Sequence, residues 1–151
     1  MSTRVGTAPP AASSVLTTEG TAEAARRLRV LREESGAAAT AGLIKPYRVA
    51  LYVLVEPGRD PADRFALAQV RAVRSGCEVV YRLCDSTGMT DPFTRPSLAR
   101  AYTAVRRGEI QGIVAASRTD ISTSNCHYEQ ELRRLRTLDG FLFLALDETR
   151  A

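Results

Sequence analysis

Glu56, Asp85 and Asp120 each stand just past a run of apolar residues, and Arg95 lies close after the second of them. Three carboxylates and a guanidinium at the ends of strands could line a crevice that holds a cation or an amine. This gives one reading of the chain, a small-molecule-binding α/β domain. Ser86, Ser117 and Ser122 are hydroxyls near the same places. A serine needs a base or a cluster of cations to become a nucleophile, and none of the three has arginines grouped around it, so they read as loop and cap residues. The cysteines are Cys77, Cys84 and Cys126, an odd number without paired short spacing, which argues against both a disulfide framework and a zinc ribbon. Cys126 adjoins the only histidine, His127, but neighbouring residues aim poorly at one ion and no further ligand pair is in view. No metal and no cofactor is expected.

The elements that would position these groups fit into 151 residues, enough for one domain of ordinary size. The hydrophobic share of 44% and the charged share of 25% are those of a globular protein. The longest apolar runs, residues 49–55 and 141–146, are too short to cross a bilayer, and no secretory signal opens the chain. A cytoplasmic location without membrane association is the expectation. The formal charge of +4 is a mild excess, with Lys45 the only lysine. It is spread evenly, six basic against four acidic residues over 1–45 and fifteen against thirteen over 46–151. A charge of this size is not in itself a nucleic-acid signature.

Residues 1–20 are rich in Ser, Thr, Ala, Pro and Gly without apolar periodicity and read as a disordered tail. Thr21 is placed to cap a short helix over 22–35, with Ala25, Leu28 and Leu31 at helical spacing; Gly36 is expected to stop it, and the stretch to Gly42 reads as linker. Residues 1–45 are thus expected to be a flexible region before a domain at 46–151. That domain reads as strand 48–55, helix 61–75 with Phe65, Ala68, Ala72 and Val73 on its apolar face, strand 78–83 and loop 85–94. A helix from Pro96 to 107 follows, with Leu98, Tyr102 and Val105 on one face, then strand 112–116, helix 125–138 and strand 141–146. Alternation of this kind calls for a mostly parallel sheet of four to five strands with helices on both faces. In such sheets sites gather where loops leave the carboxyl ends of strands, here after Val55, Cys84 and Ala116.

The residues at these three places, in order, resemble the resolvase and invertase family of serine site-specific recombinases over residues 47–148. The family opens on a strand of the type Ala-Leu-Tyr-x-Arg-x-Ser, and this chain has Ala50-Leu51-Tyr52-Val53-Leu54-Val55-Glu56. The family then has Asp-x-x-Ser-Gly and Arg-Pro-x-Leu, and here stand Asp85-Ser86-Thr87-Gly88 and Arg95-Pro96-Ser97-Leu98. Val105-Arg106-Arg107-Gly108-Glu109-Ile110 is similar to the turn before the family's next strand. The last landmark, Leu-Asp-Arg-Leu-Ser-Arg, meets Arg118-Thr119-Asp120-Ile121-Ser122-Thr123.

The resemblance implies a resolvase-like fold, and it implies where the chemistry has changed. In the family the serine attacks a DNA phosphodiester and arginines hold the phosphate. Glu56 stands at the serine's position, and a carboxylate repels the phosphate it would have to approach. Leu54 replaces the first arginine, Thr119 the aspartate, and Asp120 and Thr123 the two later arginines; Arg95 alone is retained. Phosphoryl transfer leans on cationic donors, so the expectation is a domain with no intact catalytic residue. The family's long dimerisation helix and DNA-binding region are also not expected within these residues. Two functional readings stand beside the small-molecule binder. One is an inactive recombinase-like module for protein–protein interaction or regulation, as a homodimer or with a protein partner. The other is a functional or remnant DNA recombinase with a divergent site.

Overall fold

Apolar runs alternating with amphipathic stretches produce a four-stranded, all-parallel sheet in the computed structural model, which describes residues 9–150 and side-chain surroundings from residue 20 on. The elements are α1 (Pro9–Thr40), β1 (Tyr47–Leu54), α2 (Ala62–Arg74), β2 (Cys77–Asp85), α3 (Pro96–Arg106), β3 (Gly112–Ala115), α4 (Asn125–Thr137) and β4 (Phe141–Leu144). Short 3-10 turns occupy Pro92–Thr94 and Arg118–Asp120. Strand order is β2-β1-β3-β4. The chain steps from β1 to β2 on one side and then back past β1 to β3. Right-handed crossovers therefore put α2 on one face and α3 and α4 on the other. The last six residues of β1 are all buried, as a strand covered on both faces must be. Among the described residues no helix is long and apolar enough to cross a membrane.

Two apolar clusters follow from the layering. Ala50, Tyr52, Ile113 and Leu144 meet Leu98, Tyr102, Tyr128 and Leu132 on the α3/α4 face. Val49, Leu51, Val114 and Phe141 meet Ala68 and Ala72 of α2 on the other. Val73, expected on the inner face of α2, is 64% exposed. At the β1–β2 junction Val49 pairs with Val79 but Ala50 with Tyr81, so Val80 is an unpaired bulge on the edge strand.

The segment before β1 is not the tail, short helix and linker that its composition suggests. One helix runs from Pro9 to Thr40; Thr21 lies inside it and Gly36 does not end it. The rest of the expected tail, residues 1–8, lies outside the described residues. Tertiary burial overrides the local stop signal. Leu28 is fully buried in the α3/α4 cluster, whereas Ala39 and Leu43 pack against the α2 cluster, so the helix passes from one face to the other across β4. Arg32 turns inward, and its Nε and Nη2 donate to Glu148 at 2.6 and 3.1 Å. Tyr128 Oη donates to the same carboxylate, which closes a buried network between α1, α4 and the segment after β4.

Gly36 weakens this helix without need. A Cβ at that position would make an ordinary contact of 3.8 Å with the Phe143 ring. Gly36→Ala is expected to raise stability by about 0.5–1 kcal/mol, read as a higher midpoint in urea at unchanged slope.

Candidate functional site

The reversal of strand order opens a crevice between the carboxyl ends of β1 and β3, and the side chain at its centre is Asp120. Ser117 caps the 3-10 turn after β3 through its side chain, and this turn carries Asp120 inward until it is fully buried. Five donors meet its carboxylate. Leu54 N donates to Oδ1 at 2.9 Å, tying down the end of β1. Ala116 N and Ser117 N donate to Oδ2 at 2.9 and 3.2 Å, holding the end of β3. Arg64, in the first turn of α2, adds Nε to Oδ1 at 2.7 Å and Nη2 to Oδ2 at 3.0 Å. The same Nη2 also donates to Ser117 Oγ and Thr119 Oγ1.

Arg95 is also fully buried, at the start of α3. Its Nη1 donates to the Asp120 carbonyl at 2.8 Å, and its Nε and Nη2 donate to the Thr90 carbonyl at 3.2 and 2.6 Å. Its side chain pins the 86–95 loop to the turn after β3 and presents no donor to solvent. Asp85, at the end of β2, receives Ser97 N and Leu98 N at 2.9 and 3.0 Å, which caps α3, and Tyr52 Oη at 2.8 Å. Burial first, and the Asp85 hydrogen bond second, push the Tyr52 phenol far above its usual range.

Glu56 is the one carboxylate of the three that stays exposed. It lies on the rim against Gly88, where a Cβ would come within 2.8 Å of Oε2. Gly88 also has φ +68° and donates its N–H to the Val55 carbonyl, so its backbone conformation calls for glycine, whereas the mobile Glu56 carboxylate could swing aside. The crevice read as a cation site therefore does not assemble: Asp85 and Asp120 face protein donors, and Glu56 is left by itself.

Of the positions singled out by sequence, Leu54, Thr119, Asp120 and Arg95 come together. Glu56 sits on the rim, and Thr123 is exposed with no side-chain hydrogen bond among the described residues. Among the serines, Ser117 is beside an arginine but only 4% exposed, and Ser122 is buried with its hydroxyl accepting from Ser124 N. Arg64 was not marked by the sequence, where α2 reads as a core helix. Its position in the turn following the β1 loop is the signal that could have found it. Arg118, in the same turn as Asp120, is held against α4 instead: its guanidinium lies 4.6 Å from the Tyr128 ring centre and donates to Asn125 Oδ1. Cys77, Cys84 and Cys126 are all unpaired.

The domain has the fold of serine recombinase catalytic domains. It is similar to the C-terminal catalytic domain of ISC1926 TnpA, an IS607-like serine recombinase, with TM-score 0.54 and 17% identity over 65% of this chain and 70% of that one. It is similar to the N-terminal catalytic domain of TP901-1 integrase, with TM-score 0.57 and 16% identity over 69% and 83%. A third likeness is to the product of the first open reading frame of transposon ISC1904 from Sulfolobus solfataricus P2, with TM-score 0.50 and 12% identity over 64% and 65%. No family model matches the sequence, and no curated protein matches it. At these identities the likeness is one of fold.

Two outcomes follow from the geometry. Removing the Asp120 carboxylate leaves three backbone donors and a guanidinium without their acceptor, so Asp120→Ala is expected to cost about 3 kcal/mol or more in urea unfolding. Arg64→Ala, which keeps the backbone donors in place, costs less. The second outcome concerns pH. Tyr52 has a raised pKa in the folded state, as do Tyr102 and Tyr128, chiefly through burial. A phenol with a raised folded pKa holds its proton more tightly when native. Its contribution is complete below the unfolded value of about 10 and fades as pH climbs toward the native value. Stability should fall steeply above about pH 10, with phenolate absorbance appearing together with loss of circular dichroism, and the fall should be shallower in Tyr52→Phe.

Proposed function

We propose that this chain is a serine-recombinase-like domain that does not perform strand exchange and is retained for binding, either to another protein or to a second copy of itself, in a regulatory role. One observation carries the reading: the donors that meet in the crevice between β1 and β3 are already occupied by the buried carboxylate of Asp120. A phosphodiester arriving there would compete with an internal anion for Arg64. It would find Arg95 fully buried, with its donors turned onto backbone carbonyls. At the position where the resemblance puts the nucleophile, Glu56 presents a carboxylate, which repels a phosphate and is far from a serine alkoxide in chemistry. Transition-state charge on a phosphoryl group needs free cations aimed at it, and loss of one such arginine commonly reduces the rate about 10³-fold or more.

A divergent but active recombinase would have to use Ser117, the hydroxyl beside Arg64, after opening the turn that buries it. The test is incubation of the purified chain with supercoiled plasmid, followed by denaturing electrophoresis for nicked DNA and for protein–DNA adducts. Neither is expected. An adduct mapping to Ser86, Ser117 or Ser122 would overturn the inactive reading. Sedimentation and affinity capture test the other half: self-association or a specific partner is expected, and a strictly monomeric chain that captures nothing sinks the binding role.

A further inference from the structure

Where α1 crosses the outer edge of β4, the two do not close completely. A cavity of about 470 Å³ remains, with Arg32, Glu33, Arg71, Phe143, Asp147 and Arg150 among its lining residues. Its charged groups are not alike. Arg32 is paired with Glu148 through Nε and Nη2. The Asp147 carboxylate accepts from Thr149 N and Oγ1 at 2.9 and 2.6 Å and lies 3.9 Å from Arg29. Arg71, on α2, differs from both. Its guanidinium lies 5.0 Å from the centre of the Phe143 ring, its Nε is buried without a hydrogen-bond partner, and it forms no ion pair among the described residues. Arg150 and Glu33 also form no ion pair among the described residues, although the charge of Glu33 is felt at Arg71.

We infer that this cavity is a binding site for a small organic oxyanion, a carboxylate or a phosphate ester, with Arg71 as the principal ligand-holding residue. A partly buried cation with no bonded anion is unfavourable unless one meets it. Burial, and then the charge of Arg32, lower the Arg71 pKa in the absence of such an anion. The Phe143 ring backs the guanidinium at the cavity wall, so its two Nη groups, which bond to no other group among the described residues, form a fork that matches two oxygens of one oxyanion. The volume exceeds that of a bare inorganic ion and falls within the usual range for small organic ligands. The site is formed by α1, α2, β4 and the segment after it, away from the crevice between β1 and β3, so it stands independently of the proposed function.

The test is a titration of the whole ¹⁵N-labelled chain with inorganic phosphate and, separately, with succinate, each against sodium chloride at equal ionic strength. Saturable shifts are expected at the Arg71 Nε–H and the amides of Phe143 and Leu144. Binding should be roughly tenfold or more weaker in Arg71→Gln and unchanged in Arg106→Gln, because a charged hydrogen-bonding fork contributes on that scale. A response to phosphate alone or to succinate alone supports the site and tells the two ligand chemistries apart. Unmoved Arg71 and β4 resonances with both probes, or equal shifts in a folded Arg71→Gln, overturn the proposal. Should that variant fail to fold, the Nε–H signal of the unaltered chain decides the question.

Discussion

Asp120 is a carboxylate with no access to water, placed where two parallel strands diverge, and its charge is tolerated only because backbone and side-chain donors surround it. Each of those donors belongs to an element that must be in place first: the end of β1 through Leu54, the end of β3 through Ala116 and Ser117, and the start of α2 through Arg64. A buried charge of this kind contributes little net stability against an apolar substitute, but it penalises any arrangement in which a donor is missing. The loops at this end of the sheet are thereby held to one geometry. The same principle recurs nearby: Arg95 joins two loops by bonding to carbonyls and a thioether, and Asp85 joins β2 to α3 and to the Tyr52 phenol.

This use of charge bears on function. In phosphoryl-transfer sites cations are kept available and face the substrate. Here they face inward. Arg64 is anchored to the Asp120 carboxylate, Arg95 to backbone carbonyls, and Arg118 to the Ser122 carbonyl, Asn125 and the Tyr128 ring. The crevice has the bonding of a structural joint.

How much of this the residues reveal depends on the kind of signal. Every strand and helix after residue 46 was legible to within two residues or so, because buried parallel strands read as continuous apolar runs and Gly58, Gly76 and Pro96 mark the breaks. The order of landmarks marked Leu54, Thr119, Asp120 and Arg95, which come together, but equally Glu56 and Thr123, which stay exposed outside that cluster. That Asp120 binds Arg64 was not legible, since the partners are 56 residues apart and α2 shows only its apolar spacing. Nor could spacing show that Arg95 is wholly buried, because a guanidinium looks the same in sequence whether it faces solvent or a carbonyl. The first helix was the largest departure. Its hydrophobic pattern is weak and interrupted by glycine, and its order rests on long-range contacts such as Arg32 with Glu148.

The two rims of the sheet are finished differently. Along β4 the first helix passes from face to face, so no incoming strand can lie there without first displacing it. Along β2 the rim is bare, but the extra residue at Val80 breaks the regular ladder midway and twists it out of line. A parallel sheet bounded in this manner offers no straight template for another chain to zip onto, which suits a protein whose central strands are almost entirely apolar.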